Sequence, residues 1–216
     1  MDELKKIIGD YDIFLDSVFA MIEDIDLDVE KLPVDHLCYR VETLNEYEEV
    51  KNLLSPLGHL LTEAEINGRP ISTFKLHQAI VYKNRSIPMI ELPAPKEEKA
   101  YKSGLEHLEF VTKEPLQKIV NRYPMVAFET YGIHKKVNPD ITLKLGAYCI
   151  RFHNDDLETI IKKENRPKSP SGFKAQHRHK HKNQSQKQRS SQGAKKESHG
   201  KSKNYYKKSS HQKFQD

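Results

Sequence analysis

Two cysteines, Cys38 and Cys149, are all that 216 residues contain. That is too few for a disulfide scaffold or a cysteine-based zinc site, so a reducing cytosol is the expected setting. Long apolar runs are also missing. None reaches the ~20 residues needed to cross a bilayer, which excludes a protein built on membrane-spanning helices. The opening stretch, MDELKKIIGDYDIF, is acidic and amphipathic rather than basic and apolar, and predicts no secretory signal. Hydrophobic residues are scarce at 36% of the whole, and the shortage is concentrated at one end.

From 166 onward the chain has 15 Lys and Arg against 2 Asp and Glu, whereas residues 1–165 have 21 against 29. An acidic body (net −8) and a basic tail (net +13) are two physical objects, and the formal charge of +5 describes neither. The tail has no apolar period. It is rich in Ser, Gln, Lys, His and Asn, with only Phe173, Tyr205, Tyr206 and Phe214 as aromatics. Such a segment buries too little surface to offset its chain entropy and is expected to be disordered. Two roles suit it besides simple solubilisation. His177, His179 and His181 alternate with basic residues as in metal-binding tracts, and the Lys clusters with Tyr205 and Tyr206 suit RNA or another polyanion.

The body reads as an N-terminal helix followed by a duplicated pattern. Leu4, Ile7, Ile8, Tyr11, Leu15, Val18, Phe19, Ile22 and Ile25 share one helical face, predicting a helix over 2–25. From Asp35 the period becomes two, with Leu37, Tyr39 and Val41 opposite His36, Cys38 and Arg40. A helix follows over 44–57, then strands at 59–65, 71–82 and 87–92. Asn67-Gly68 is a hairpin turn signal, and Asn84-Arg85 is a second turn candidate. After a polar linker at 94–103 the series restarts: strand 105–111, helix 114–122, strand candidates 125–129, 141–145 and 148–153, and a closing helix over 155–163. The expected domain therefore spans 1–165, with a first βαβββ module at 35–92 and a second at 105–153. The fold class is α+β.

Each strand has one greasy face and one carrying ionisable groups. His36, Cys38 and Arg40 fall on such a face, as do Glu91, His107 with Glu109, and Cys149 with Arg151 and His153. By strict alternation Glu106 belongs with Leu108 and Phe110 on the greasy side. If the greasy faces pack under helices, the others line one concave surface. A His–Glu–His set from three strands could then hold Zn, Ni, Fe or Mn and leave positions open for a small molecule. The competing reading is an ordinary polar face of a half-exposed sheet. Cys38 or Cys149 as a nucleophile would need an adjacent base; small buried hydrophobes are the commoner use.

The chain resembles the YecM-like family of the vicinal-oxygen-chelate superfamily, which includes glyoxalases and extradiol dioxygenases. The resemblance rests on Asp35-His36, Asn67-Gly68-Arg69-Pro70-Ile71 with Phe74-Lys75-Leu76-His77, Ile90-Glu91-Leu92-Pro93, Glu106-His107-Leu108-Glu109, Asn138-Pro139 and Ile150-Arg151-Phe152-His153. It covers about 1–163 and implies paired βαβββ modules forming a cup-shaped mixed sheet. It also implies a cation held from the first, fourth, fifth and eighth strands, at His36, Glu91, His107 and Arg151. Arg151 breaks that pattern, because a guanidinium has no lone pair to offer a metal. Either Glu109 or His153 takes its place, or Arg151 and Arg40 bind an anion. Arg69, beside the hairpin glycine, is a candidate anion clamp or a residue that fixes the turn. The implied function is a divalent-metal-binding protein of unspecified activity. The alternatives are a metal-dependent lyase, isomerase or dioxygenase acting on a small oxygenated or anionic metabolite, and a tail-driven RNA-associated protein.

Overall fold

The computed structural model describes residues 2–96 and 102–165. Helices α1 (Glu3–Ile8) and α2 (Tyr11–Asp24) open the chain, followed by β1 (Val34–Arg40) and α3 (Leu44–Leu54). Next come β2 (Gly58–Ile66), β3 (Arg69–Tyr82) and β4 (Arg85–Pro93). The second module supplies β5 (Gly104–Val111), α4 (Leu116–Arg122), a 3-10 turn at Tyr131–His134, β6 (Asp140–Leu145) and β7 (Tyr148–His153), and α5 (Leu157–Glu164) closes the fold. The seven strands form one mixed sheet in the order β2-β3-β4-β1-β5-β7-β6. β1 runs parallel to β4 and β5 parallel to β7, while β1 and β5 meet antiparallel at the centre. The two modules thus join along a β1–β5 seam. The expected α+β fold of two related modules on a mixed sheet is the one observed.

Apolar period sets the packed face. Leu37, Ile90, Leu92, Leu108, Phe110, Ile150 and Phe152 are fully or almost fully buried in one core with Leu15 and Val18 of α2. Phe19 of α2 stacks on Tyr82 and meets Phe110 edge-on, and Phe14 meets Tyr148 edge-on. One helix thereby covers strands from both modules. The opposite, concave face is left to polar groups.

Several expected elements differ in detail. The N-terminal helix is two helices, because Gly9 adopts φ 83° and its amide caps Lys5, while the Asp10 side chain accepts from the Asp12 amide to start α2. Apolar residues continue in period through this break, which is why periodicity alone does not show it. The second turn is Lys83-Asn84, not Asn84-Arg85: Arg85 pairs with Tyr82 as the first residue of β4, and its guanidinium donates to the Leu32 and Val29 carbonyls. The strand candidate at 125–129 reduces to a single bridge, Glu129 with Thr142. Val126 and Phe128 instead turn their amides back onto Tyr123 and Val126, so the second module has three strands where the first has four. The helix expected over 44–57 ends at Leu54. The Asn67-Gly68 hairpin forms as expected, both residues at positive φ.

The tail expected to be disordered, 166–216, lies outside the described residues, as does part of the expected linker. Among the described residues no helix is long and apolar enough to cross a membrane.

Candidate metal centre

Register places the polar groups before any side chain is considered. Across the sheet, Glu91 of β4 lies beside Cys38 of β1, Cys38 beside His107 of β5, and His107 beside Cys149 of β7. One step along the strands, His36 lies beside Glu109, and Glu109 beside Arg151. Every sequence-derived candidate on these strands therefore falls on or beside one patch of the concave face, centred on the β1–β5 seam.

Two irregularities in that seam add residues that alternation puts elsewhere. Val34 pairs with Phe110 but His36 with Glu109, which makes Asp35 an extra residue on β1. Cys38 pairs with His107 but Tyr39 with Leu105, which makes Glu106 an extra residue on β5. A bulge re-aims the side chain it inserts. Asp35 accordingly reaches His36 Nδ1 at 2.9 Å and accepts from the Leu157 amide at 3.1 Å. Glu106 lies along the lining of the cavity with His107, where strict alternation would have put it in the core.

The ligating atoms of His36, Glu91 and His107 lie within 4.8 Å of one another. His36 and His107 are buried, and His36 Nε2 and both nitrogens of His107 have no hydrogen-bond partner. Asp35 holds the His36 ring through Nδ1 and leaves Nε2 facing the cluster, the arrangement by which a carboxylate orients a metal-bound imidazole. Glu109 is the centre of the charge pattern. Its Oε1 lies 3.6 Å from His36 Nε2, 3.3 Å from His107 Nε2 and 3.0 Å from an Arg151 nitrogen, which donates to it. His153 is also buried, its Nδ1 bonded to the Asp155 carbonyl and its Nε2 3.5 Å from Glu109 Oε2.

The remaining candidates sit at the rim. Arg40 donates to Glu106 Oε1 at 2.7 Å, and Arg69 donates to the Ala94 carbonyl at 2.5 Å. Both line, with Glu91 and Arg151, a cavity of about 530 Å3 that opens above His107. Lys75, without a sequence-derived role, pairs with Glu158 of α5 at 2.7 Å.

Electrostatics bind the cluster together. Burial raises the cost of charge on Glu109, yet His36 and His107 outweigh it and hold the carboxyl well below its usual range. Burial likewise opposes charge on His36, but Glu109 and Asp35 raise its pKa well above the ordinary value. His107 is raised against the same burial cost by Glu106 and Glu109. Glu106 is lowered to about 2, chiefly by the nearby His107 ring, with Arg40 and Arg151 adding to it. Burial pushes the Cys149 thiol up to about 11 and holds the Cys38 thiol well above its ordinary value, which leaves both as thiols and disfavours either as a nucleophile. A pocket that draws protons onto imidazoles through surplus carboxylate has the charge to draw a divalent cation in their place.

A family model for the YecM protein matches residues 3–164. The chain belongs to the YecM family. Protein YecM of Escherichia coli (strain K12) is 28% identical over 179 residues, covering 76% of this chain and 95% of that one. The solved structure of Structural Genomics, Protein EC4020 is 28% identical with a TM-score of 0.65, covering 76% of this chain and 94% of that chain. A Streptomyces coelicolor methylmalonyl-CoA epimerase, solved with 2-nitronate-propionyl-CoA, is more distant: 12% identical, TM-score 0.42, covering 58% of this chain and 99% of that chain. The YecM match stops at residue 164 and so takes in the seam, both bulges and the whole donor cluster.

Proposed function

We propose that this YecM-family chain binds a divalent cation on His36, Glu91 and His107, with Glu109 as the further carboxylate and an anionic small molecule as second occupant of the cup. The observation that carries the reading is the convergence of three donors within 4.8 Å, with the inward nitrogens of both imidazoles buried and unpartnered. Buried polar atoms without partners cost roughly 1–3 kcal/mol each, so a cluster of them in one place asks for an occupant. Two imidazoles and two carboxylates suit Zn, Ni, Fe or Mn. Glu109 fills the role that Arg151 cannot, since its Oε1 faces both Nε2 atoms.

Arg151 then serves the second occupant. Its side chain is 37% exposed, donates once to Glu109 and borders the cavity that Arg69 also lines. Two guanidiniums above a cation suit a carboxylate or phosphate whose other oxygens face the metal. If the protein is an enzyme, the cation would act as a Lewis acid on an oxygen of that molecule. The residues' own part is to hold the anion at Arg151 and Arg69 and to present carboxylates beside it.

Elemental analysis of untagged full-length protein tests the reading. Wild type should carry one more equivalent of Zn, Ni, Fe or Mn than Glu91→Gln or His36→Ala, since metal bound by the tail is common to all. Equal content in folded variants would remove the site.

A further inference from the structure

The concave face holds a second donor set that shares a ring with the first. Sγ of Cys38, a carboxylate oxygen of Glu106 and a nitrogen of His107 also lie within 4.8 Å of one another. We infer that Cys38, Glu106 and His107 form an alternative cation site for a soft, thiophilic divalent ion such as cadmium.

Its geometry is built rather than incidental. Cys38 and His107 are direct partners across the seam, and Glu106 reaches them only because the bulge opposite Cys38 and Tyr39 inserts it on β5. The two oxygens of Glu106 are divided: Oε1 accepts from Arg40 at 2.7 Å, while Oε2 lies 3.6 Å from His107 Nδ1. Arg40 thus positions the carboxylate without occupying the oxygen that faces the ring. His107 is buried, and neither of its nitrogens has a hydrogen-bond partner. Nε2 faces Glu109, the further carboxylate of the site proposed above, at 3.3 Å, so the ring turns Nδ1 toward Glu106 and Nε2 toward Glu109. Cys38 is completely buried, and nothing in the first set uses it.

A neutral imidazole has one lone pair on its ring nitrogens and one N–H. An ion on Nδ1 leaves the proton on Nε2 and withdraws the ring from the first set; an ion on Nε2 does the reverse. The two sets are therefore alternatives, and the ion decides between them. Thiolate favours soft ions, whereas imidazole and carboxylate alone accept harder ones. On binding, Cys38 gives up its thiol proton to solvent and Sγ donates a lone pair to the ion, with no change of oxidation state.

Cadmium reports the site directly, because its bond to a thiolate absorbs in the ultraviolet and its bonds to imidazole and carboxylate do not. Full-length reduced protein, titrated with cadmium chloride, should develop this band and saturate at one sulfur-bound ion. Histidines of the tail add no band, since the chain's two cysteines are Cys38 and Cys149. Cys38→Ser should abolish the band, Cys149→Ser should keep it, and Glu106→Gln should raise the concentration for half-saturation at least about tenfold. Glu91→Gln should keep it, although that variant removes a ligand of the first set, so the two sites stand or fall separately. Absence of the band in wild type, its survival in Cys38→Ser, its loss in Cys149→Ser, or unchanged saturation in Glu106→Gln would overturn the assignment.

Discussion

At the scale of residues, the cluster is governed by which carboxylate holds which ring. Asp35 fixes the His36 tautomer from Nδ1 and ties the same oxygen to the Leu157 amide. Asp35→Asn keeps the shape but offers an amide in place of a charged acceptor. Removing such a support typically weakens a metal site about 10–100-fold, and zinc calorimetry should show that loss with the fold intact by circular dichroism. Arg151 pulls the other way, since it shares Glu109 Oε1 with both imidazoles. Arg151→Glu removes a fixed cation beside the proposed metal and should tighten zinc about tenfold, or ~1.4 kcal/mol, while weakening inorganic phosphate in the cup. Unchanged zinc affinity would place the cation away from Glu109. Much of this constellation was legible from alternation: His36, Glu91, His107, Glu109, Arg151 and His153 all sit where period two puts them. Glu106 does not, because a bulge shifts the register by one residue and leaves no mark in a local apolar pattern. Nor was the centrality of Glu109 legible, because it depends on which neighbours the sheet order supplies.

Elements show a similar division between what local chemistry encodes and what packing decides. The Asn67-Gly68 turn is local and forms where its residues predict, and the Thr43 side chain caps α3 just as locally by accepting from the Glu46 amide. The missing strand at 125–129 is not local. Only the Glu129 bridge to Thr142 remains of it, and just beyond, Gly132 passes so close to β6 that an added Cβ would lie 2.0 Å from Asp140 Oδ1 and 2.6 Å from the Asp140 carbonyl oxygen. Gly58 makes a comparable approach in β2, where a Cβ would stand 2.7 Å from the Lys75 carbonyl oxygen and 3.2 Å from Leu76 Cα. At Gly58 every near atom is backbone and cannot swing aside. Gly58→Ala should therefore cost about 1–3 kcal/mol in urea unfolding, as overpacking does. Gly9→Ala is a different case: a Cβ there meets nothing within 4 Å, and the cost comes from φ 83° alone. It should be about 1 kcal/mol. Equal losses at the two sites would mean that β2 yields at Gly58.

On the scale of the whole molecule, composition predicts that the basic segment adds charge but no core. Deleting 166–216 should leave the thermal midpoint of the body within about a degree, because removing chain that buries little costs little. Any affinity of the full chain for single-stranded RNA should vanish with it and fall steeply with salt before that. A large drop in midpoint would show that the segment packs on the body. The seam between the modules has a consequence for timing. His36 and Glu91 come from one half of the body and His107 and Glu109 from the other, brought together by a β1–β5 pairing that links Val34 to Phe110. Strand contacts so distant in sequence are slow to close. Neither half alone owns a complete donor set, so a nascent chain cannot capture a cation early and be trapped around it. A cation bound as proposed would enter only after the halves dock, so its capture would report a body whose two modules have already joined.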